Sequence, residues 1–263
     1  MRRAGMRGES CNRITRLSFD ERVTKPPENK PNNPGARVSQ KEPLSKLLEN
    51  TDIRYIAIEG VIGAGKTTLA NMIGETLRAD VVLEQFEENP FLKDFYRDPD
   101  RYAFQTQIFF LLTRYKQQQK LFQADLFHRF LVTDYIFEKD KIFAYLNLED
   151  EELKLYETLV GAIEKNIPTP DVVVYLQSSI PRLMANIRQR GRSYESEMSE
   201  TYIKDLNEAY NYFFFRYKAT PLLIVNAVEL DFVADKDQYE DLVREIFRSN
   251  RSAVEYYNPL RNK

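Results

Sequence analysis

Gly60-Val61-Ile62-Gly63-Ala64-Gly65-Lys66-Thr67-Thr68 follows the short apolar run Tyr55-Ile56-Ala57-Ile58-Glu59 and opens a helical pattern. The spacing is G-x-x-x-x-G-K-[ST], in which backbone N–H groups and a helix N-terminus face an anionic phosphate chain. Glycine is needed where a Cβ would block that approach. Charge assigns the other roles: Lys66 reaches the outer phosphates as a point cation, and the Thr67 hydroxyl suits a Mg2+ ion bridging them. Gly60 to Thr68 are therefore the expected contacts of a triphosphate.

Three further sets of residues could act on a phosphate delivered there. Glu84 follows Val81-Val82-Leu83 directly. A carboxylate at a strand tip beside a phosphate loop can take the proton of an acceptor hydroxyl; a solvated loop acid is the plainer reading. Asp134 closes an apolar run from Phe130, as an acid near Mg2+ does, and a helix N-cap suits it equally. Arg188, Arg190 and Arg192 alternate at the end of a predicted helix, with Gly191 loosening the backbone. Guanidinium forks suit phosphate oxygens and transition-state charge, which describes a lid; a solvated basic helix end is the alternative. The single histidine, His128, stands just before a strand and reads as structural.

The elements that must position these residues alternate strand and helix from Tyr55 onward, which predicts a parallel sheet covered on both faces. Strands are expected at Tyr55–Glu59, Val81–Glu84, Phe130–Asp134, Asp171–Leu176 and Leu222–Asn226. Helices are expected at Lys66–Arg78, Pro99–Phe122, Asp150–Lys165, Ile180–Arg190, Glu197–Tyr217 and Asp237–Phe247. Ligands of such sheets bind beyond the carboxyl ends of the strands, which pushes Glu84, Asp134 and Asn226 towards the phosphate loop. The aromatic residues Tyr102, Phe109, Phe110 and Tyr115 on the long helix read as core or subunit interface.

With 263 residues and 43% hydrophobic content, the chain can fill a real core. A net charge of -2 argues against binding nucleic acid through bulk charge, so a small-molecule partner is expected. No apolar run approaches the roughly 18 residues of a membrane span. One cysteine, Cys11, permits neither a disulfide framework nor a Cys-based zinc site and favours a reducing compartment. Residues 1–50 read as a disordered tail around the Pro/Asn/Lys-rich stretch 25–35, residues 51–250 as the folded domain, and 251–263 as a C-terminal tail. Arg2, Arg3, Arg7, Arg13, Arg16 and Arg22 resemble an organellar transit peptide, but Glu9, Asp20 and Glu21 spoil its acid-poor signature, and a plain tail is preferred. No apolar h-region of a secretory signal is present there.

The phosphate loop, Glu84-Gln85-Phe86-Glu87-Glu88-Asn89-Pro90-Phe91-Leu92, Phe95-Tyr96-Arg97, Phe104-Gln105-Thr106-Gln107 and the arginine lid fall in order at suitable spacings. Together they resemble a deoxynucleoside kinase, more narrowly the bacterial deoxyadenosine/deoxycytidine kinase group, from residue 53 to about 248. The resemblance implies an α/β P-loop kinase fold with a five-stranded parallel sheet and an arginine-rich lid. It implies transfer of the γ-phosphoryl of ATP or another triphosphate to the 5′-hydroxyl of a deoxynucleoside, with Mg2+, in a cytoplasmic homodimer serving nucleotide salvage. Glu84 would be the base at the 5′-hydroxyl, with Lys66, Arg190 and Arg192 acting on the phosphates beside Arg188. Tyr96 and Glu195 would hold the 3′-hydroxyl, Gln107 would bind the nucleobase with Asp140 approaching it, and Thr67 and Asp134 would face the metal.

One departure stands out. The family has an acid-Arg-Ser triplet after the third strand, whereas this chain reads Thr133-Asp134-Tyr135-Ile136, so its arginine is missing. Pairing without a gap would put Thr133, not Asp134, at the acid. Asn186 sits where some members carry a further arginine. Two competitors are a thymidylate-type nucleoside monophosphate kinase and a non-catalytic nucleotide-binding module. The first would show acceptor-side arginines in 85–95, and the second D-x-x-G and N-K-x-D motifs; neither pattern occurs.

Overall fold

The structure, a computed structural model, describes residues 43–124, 129–164 and 167–259. Cys11, His128 and the N-terminal arginines lie outside the described residues. The run Tyr55–Gly60 is buried at every position, which a central strand of a parallel sheet covered on both faces demands of its sequence. It forms β1. The other strands are β2 (Asp80–Val82), β3 (Leu131–Thr133), β4 (Val172–Gln177), β5 (Leu222–Asn226) and β6 (Val254–Tyr257). They pair in the order β2-β3-β1-β4-β5-β6, every neighbour parallel.

The helices are α1 (Leu44–Glu49), α2 (Lys66–Leu77), α3 (Leu92–Arg97), α4 (Pro99–Ala124), α5 (Lys139–Asn147), α6 (Asp150–Ile163), α7 (Ile180–Arg190), α8 (Glu200–Arg216) and α9 (Lys236–Ile246). Two apolar clusters form. One packs α2, α7, α8 and α9 on the sheet around Ile56, Ile58, Leu69, Val173, Leu206 and Leu223. The second joins α3 to α6 around Leu92, Phe95, Leu111, Tyr156 and Val160. The ends of β1, β2 and β3 open between them.

The expected α/β architecture is what the structure has, with differences that have physical causes. β2 stops at Val82 because the Glu84 N–H donates to the Asp134 carboxylate at 2.7 Å instead of continuing a ladder. α8 starts at Glu200, where the Ser199 hydroxyl accepts from the Tyr202 N–H at 3.1 Å, after a 3₁₀ turn over Ser193–Glu197. Among the described residues the sheet has six strands rather than five: Val254–Tyr257, inside the segment expected to be a C-terminal tail, pairs with β5. Ser252 N–H and Arg251 both bond the Glu255 carboxylate, which fixes its entry.

The N-terminal boundary moves too. Within the expected tail 1–50, Leu44–Glu49 is helical, and Leu44, Leu47 and Leu48 pack against the sheet core. Each half-buried leucine contributes roughly 1 kcal/mol. A chain starting at residue 51 is therefore expected to melt several degrees below one starting at residue 43. Equal melting temperatures would show that α1 adds nothing.

Candidate active site

The phosphate loop is held from three sides. Gly63 and Gly65 sit at φ +86° and +95°, where residues with a Cβ are strained. A Cβ on Gly63 would come within 2.7 Å of the Leu183 carbonyl oxygen, so α7 can pack this close only to glycine. Asn186 on α7 donates from Nδ2 to the Gly63 carbonyl at 2.8 Å, which is what this residue does in place of the further arginine. The Glu59 carboxylate is fully buried and accepts the N–H groups of Gly60 at 2.9 Å and Ile136 at 3.0 Å. It ties the end of β1 to the segment after β3.

Lys66 opens α2, and its Nζ donates to the Val61 carbonyl at 3.2 Å. Burial and the like charge of Lys139 push this ammonium down to about 8, against the opposing pull of Glu59, Asp134 and Glu84. Thr67 Oγ1 donates to Asp134 Oδ2 at 2.6 Å. Asp134 is therefore no helix N-cap: α5 begins later, after Glu138. Thr133, the other candidate for the acid, turns its hydroxyl to the Tyr135 carbonyl at 2.8 Å and is fully buried. Of the remaining loop residues, Val61 and Ala64 are buried, Ile62 lines the cleft, and Thr68 is exposed in the first turn of α2.

Glu84 is not a solvated loop acid. Arg114 bonds its Oε1 with Nε at 2.8 Å and Nη2 at 2.5 Å, and Lys139 bonds its Oε2 at 2.5 Å. Burial alone would raise this carboxyl, but Lys139 and Arg114 outweigh it and hold the pKa at about 2. Arg114 lies over the Phe110 ring, 4.9 Å from its centroid, and its Nη1 pairs with Asp140. Asp140 is fully buried behind Arg114 and does not line the cleft. Tyr135, at the position of the missing arginine, is buried and also absent from the cleft wall.

Sequence reasoning missed the roles of Arg114 and Lys139. A signal existed for Arg114, since it lies two helical turns after Gln107 and so on the same face of α4. Lys139 carried none, because only the folded turn after β3 swings it to Glu84.

Lys66, Thr67, Glu84, Arg114, Asp134 and Lys139 wall one cleft. Gln107 is 3% exposed, and its Nε2 donates to the Asp140 carbonyl at 2.8 Å, which fixes the amide plane at the cleft wall. Tyr96 stacks on Tyr194, centroids 6.5 Å apart, and meets Tyr202 edge-on. Burial, then Tyr202 and Glu195, raise the Tyr96 phenol well above its ordinary value, so it stays a neutral donor. Glu195 is paired with Arg190 through both Nε and Nη2, and more loosely with Arg192 at 3.7 Å. Arg192 reaches Glu87 at 3.6 Å and lies over the Phe86 ring at 4.3 Å. Both arginines line the cleft. Two expected members are not brought in: Arg188 is exposed on α7, and Asn226 bonds Asn258 and the Val228 N–H at the end of β5.

Among the described residues no helix is long and apolar enough to cross a membrane, and no group of three His, Cys, Asp or Glu residues could hold a metal ion. The sequence model of the deoxynucleoside kinase family matches residues 56–250. The deoxyguanosine kinase of Bacillus subtilis is 33% identical over 202 residues, covering 73% of this chain and 95% of that protein. The deoxyadenosine/deoxycytidine kinase of the same organism is 30% identical over 198 residues, 73% of this chain and 90% of that protein. The structure of deoxyadenosine kinase from M. mycoides with bound dATP superimposes with a TM-score of 0.65 at 30% identity, covering 74% of this chain and all of that one. The chain belongs to the deoxynucleoside kinase family and is a deoxynucleoside kinase.

Proposed function

We propose that the cleft takes a deoxynucleoside with its 5′-hydroxyl at Glu84 and its base at Gln107, against a triphosphate held by the loop from Gly60 to Thr68. The observation that carries this is Glu84 itself: an ionised carboxylate, gripped on both oxygens, at the mouth of a phosphate loop. The O5′–P bond forms as the bond from the γ-phosphorus to the bridging oxygen breaks. The bonding pair leaves on the nucleoside diphosphate, and the hydroxyl proton passes to Glu84. Lys66, Arg190 and Arg192 stabilise the charge on the transferring group. Tyr96 and Glu195 meet the 3′-hydroxyl, so Arg190, now tied to Glu195, links sugar recognition to the lid.

Thr67 and Asp134 would hold Mg2+. Their oxygens lie 2.6 Å apart and are hard donors, which fits an ion that takes one or two protein oxygens and completes its shell with phosphate and water. Bound there, it would supply positive charge to neutralise the phosphates. ATP is the donor in this reading, and the location is the cytoplasm.

The homodimer belongs to the same reading. Leu112 on α4 and Leu155 and Leu159 on α6 are exposed on two helices that pack together, an apolar face suited to a second copy. A monomer by light scattering at micromolar concentration would remove it.

Four deoxynucleosides, each with ATP and Mg2+ and the product identified by mass, test the reaction; no phosphorylated product from any of them overturns it. For the base, Gln107→Ala removes an amide fixed in a desolvated wall, a loss worth about 1–3 kcal/mol. The expected result is a KM for the acceptor raised roughly tenfold or more with base preference blurred. An unchanged base profile would make Gln107 a structural residue.

A further inference from the structure

Lys139 is the first residue of α5, and its side chain is 5% exposed yet reaches the cleft wall. Its Nζ lies 2.5 Å from Glu84 Oε2. An ammonium carries three donors in fixed tetrahedral directions. Among the described residues Glu84 is the one hydrogen-bond partner of this Nζ, and the Phe143 ring, 5.9 Å away, closes one side. The neighbouring cation, Arg114, is differently placed: three of its five N–H groups, one from each nitrogen, go to Glu84 and Asp140, so its charge is divided between two carboxylates. Lys139, bound to one carboxylate and with two of its three N–H groups uncommitted, is the cation at the acceptor carboxylate better placed to take a further anion.

Lys66 lines the same cleft. Lys66, on the phosphate loop, answers the donor's phosphates. We propose that Lys139 is the acceptor-side phosphoryl-binding cation, which grips the γ-phosphoryl as it passes to the 5′-oxygen and the 5′-phosphate of the monophosphate once formed. This rests on the reading of Glu84 as the residue at the 5′-hydroxyl. The transfer is the one written above, to which Lys139 supplies N–H donors and charge. The role is the one that Tyr135 cannot fill, because its side chain is buried away from the cleft. An acceptor nucleoside is neutral at this point and the product is an anion, so Lys139 tells the two apart.

The test compares affinities that need neither turnover nor metal. Binding of 2′-deoxyadenosine against dAMP, and of 2′-deoxyguanosine against dGMP, is measured by calorimetry on the parent, Lys139→Gln, Lys139→Met and Lys139→Arg. Lys139→Gln keeps a neutral donor to Glu84 and safeguards the comparison should Lys139→Met melt early. Expected for the two neutral variants is monophosphate affinity at least tenfold weaker, with nucleoside affinity within threefold. In turnover, kcat falls about 10²–10³-fold, the usual effect of removing one transition-state donor, while the nucleoside KM holds. Lys139→Arg should recover most of both. Equal losses for nucleoside and monophosphate, or no loss for the monophosphate, would overturn the assignment. A parent that phosphorylates no deoxynucleoside would instead overturn the kinase reading, and the binding comparison still judges Lys139.

Discussion

Lys66→Ala should abolish measurable turnover, by about 10²–10³-fold at least, without lowering the melting temperature. The rate loss follows from removing the cation of the phosphate loop, where a preorganised charge acts on the outer phosphates in a site of low dielectric. The stability expectation comes from the structure. Among the described residues the ammonium makes one hydrogen bond, to the Val61 carbonyl, while burial and Lys139 both disfavour its charged form and hold its pKa at about 8. A group whose charged form is disfavoured on folding costs stability below its folded pKa, and that cost is relieved as pH rises through it. Removing it at pH 7 therefore leaves the fold as stable or slightly more so. Activity within threefold of the parent would overturn the phosphate-loop assignment. A large drop in melting temperature with proportional loss of rate would mean that Lys66 acts through structure.

What the sequence made legible and what it hid divide along a physical line. The phosphate loop was readable because its function needs particular residues at fixed spacing on one continuous segment, and Gly63 and Gly65 do take the left-handed backbone that the spacing requires. The parallel sheet was readable because β1, β4 and β5 are buried on both faces and so are written as unbroken apolar runs. β6 was hidden: as an edge strand its residues alternate exposed and half-buried, and Val254-Glu255-Tyr256-Tyr257 carries little apolar signal. α5 was hidden for a similar reason, since nine residues give about two and a half turns of periodicity and the charged residues Lys139 and Asp140 are buried. The cationic grip on Glu84 depends on α4, α5 and the end of β2 meeting in space, which no local pattern records. Asp134 lay between: spacing left it level with Thr133, and the contacts with Thr67 and the Glu84 N–H separate the two.

The grip on Glu84 changes what its substitution should do. Glu84→Gln keeps the shape and removes the charge and basicity, and kcat is expected to fall roughly 10²–10⁴-fold, the range for a general base. A carboxylate with a pKa of about 2 is a weak base, so much of its contribution lies in orienting the hydroxyl, with proton transfer late in a loose transition state. ATP affinity should change little, because the phosphate loop is untouched. Stability should not be spared: Arg114 and Lys139 both lose the anion they face, and hydrogen bonds to charged groups contribute about 1.5–3 kcal/mol each. The pH dependence separates this from general damage. The folded pKa is depressed below the ordinary 4.5, so the stability Glu84 supplies is fully present above that value and is lost as pH falls towards about 2. The parent should therefore out-melt Glu84→Gln at pH 7, and the gap should close as pH is lowered through that window. Single-turnover phosphorylation, ATP affinity and melting at two pH values decide the matter. A rate loss below tenfold, or a loss of ATP binding as large as the rate loss, would show that Glu84 is not the base. A melting gap that does not change with pH would show that its charge is not what Arg114 and Lys139 hold.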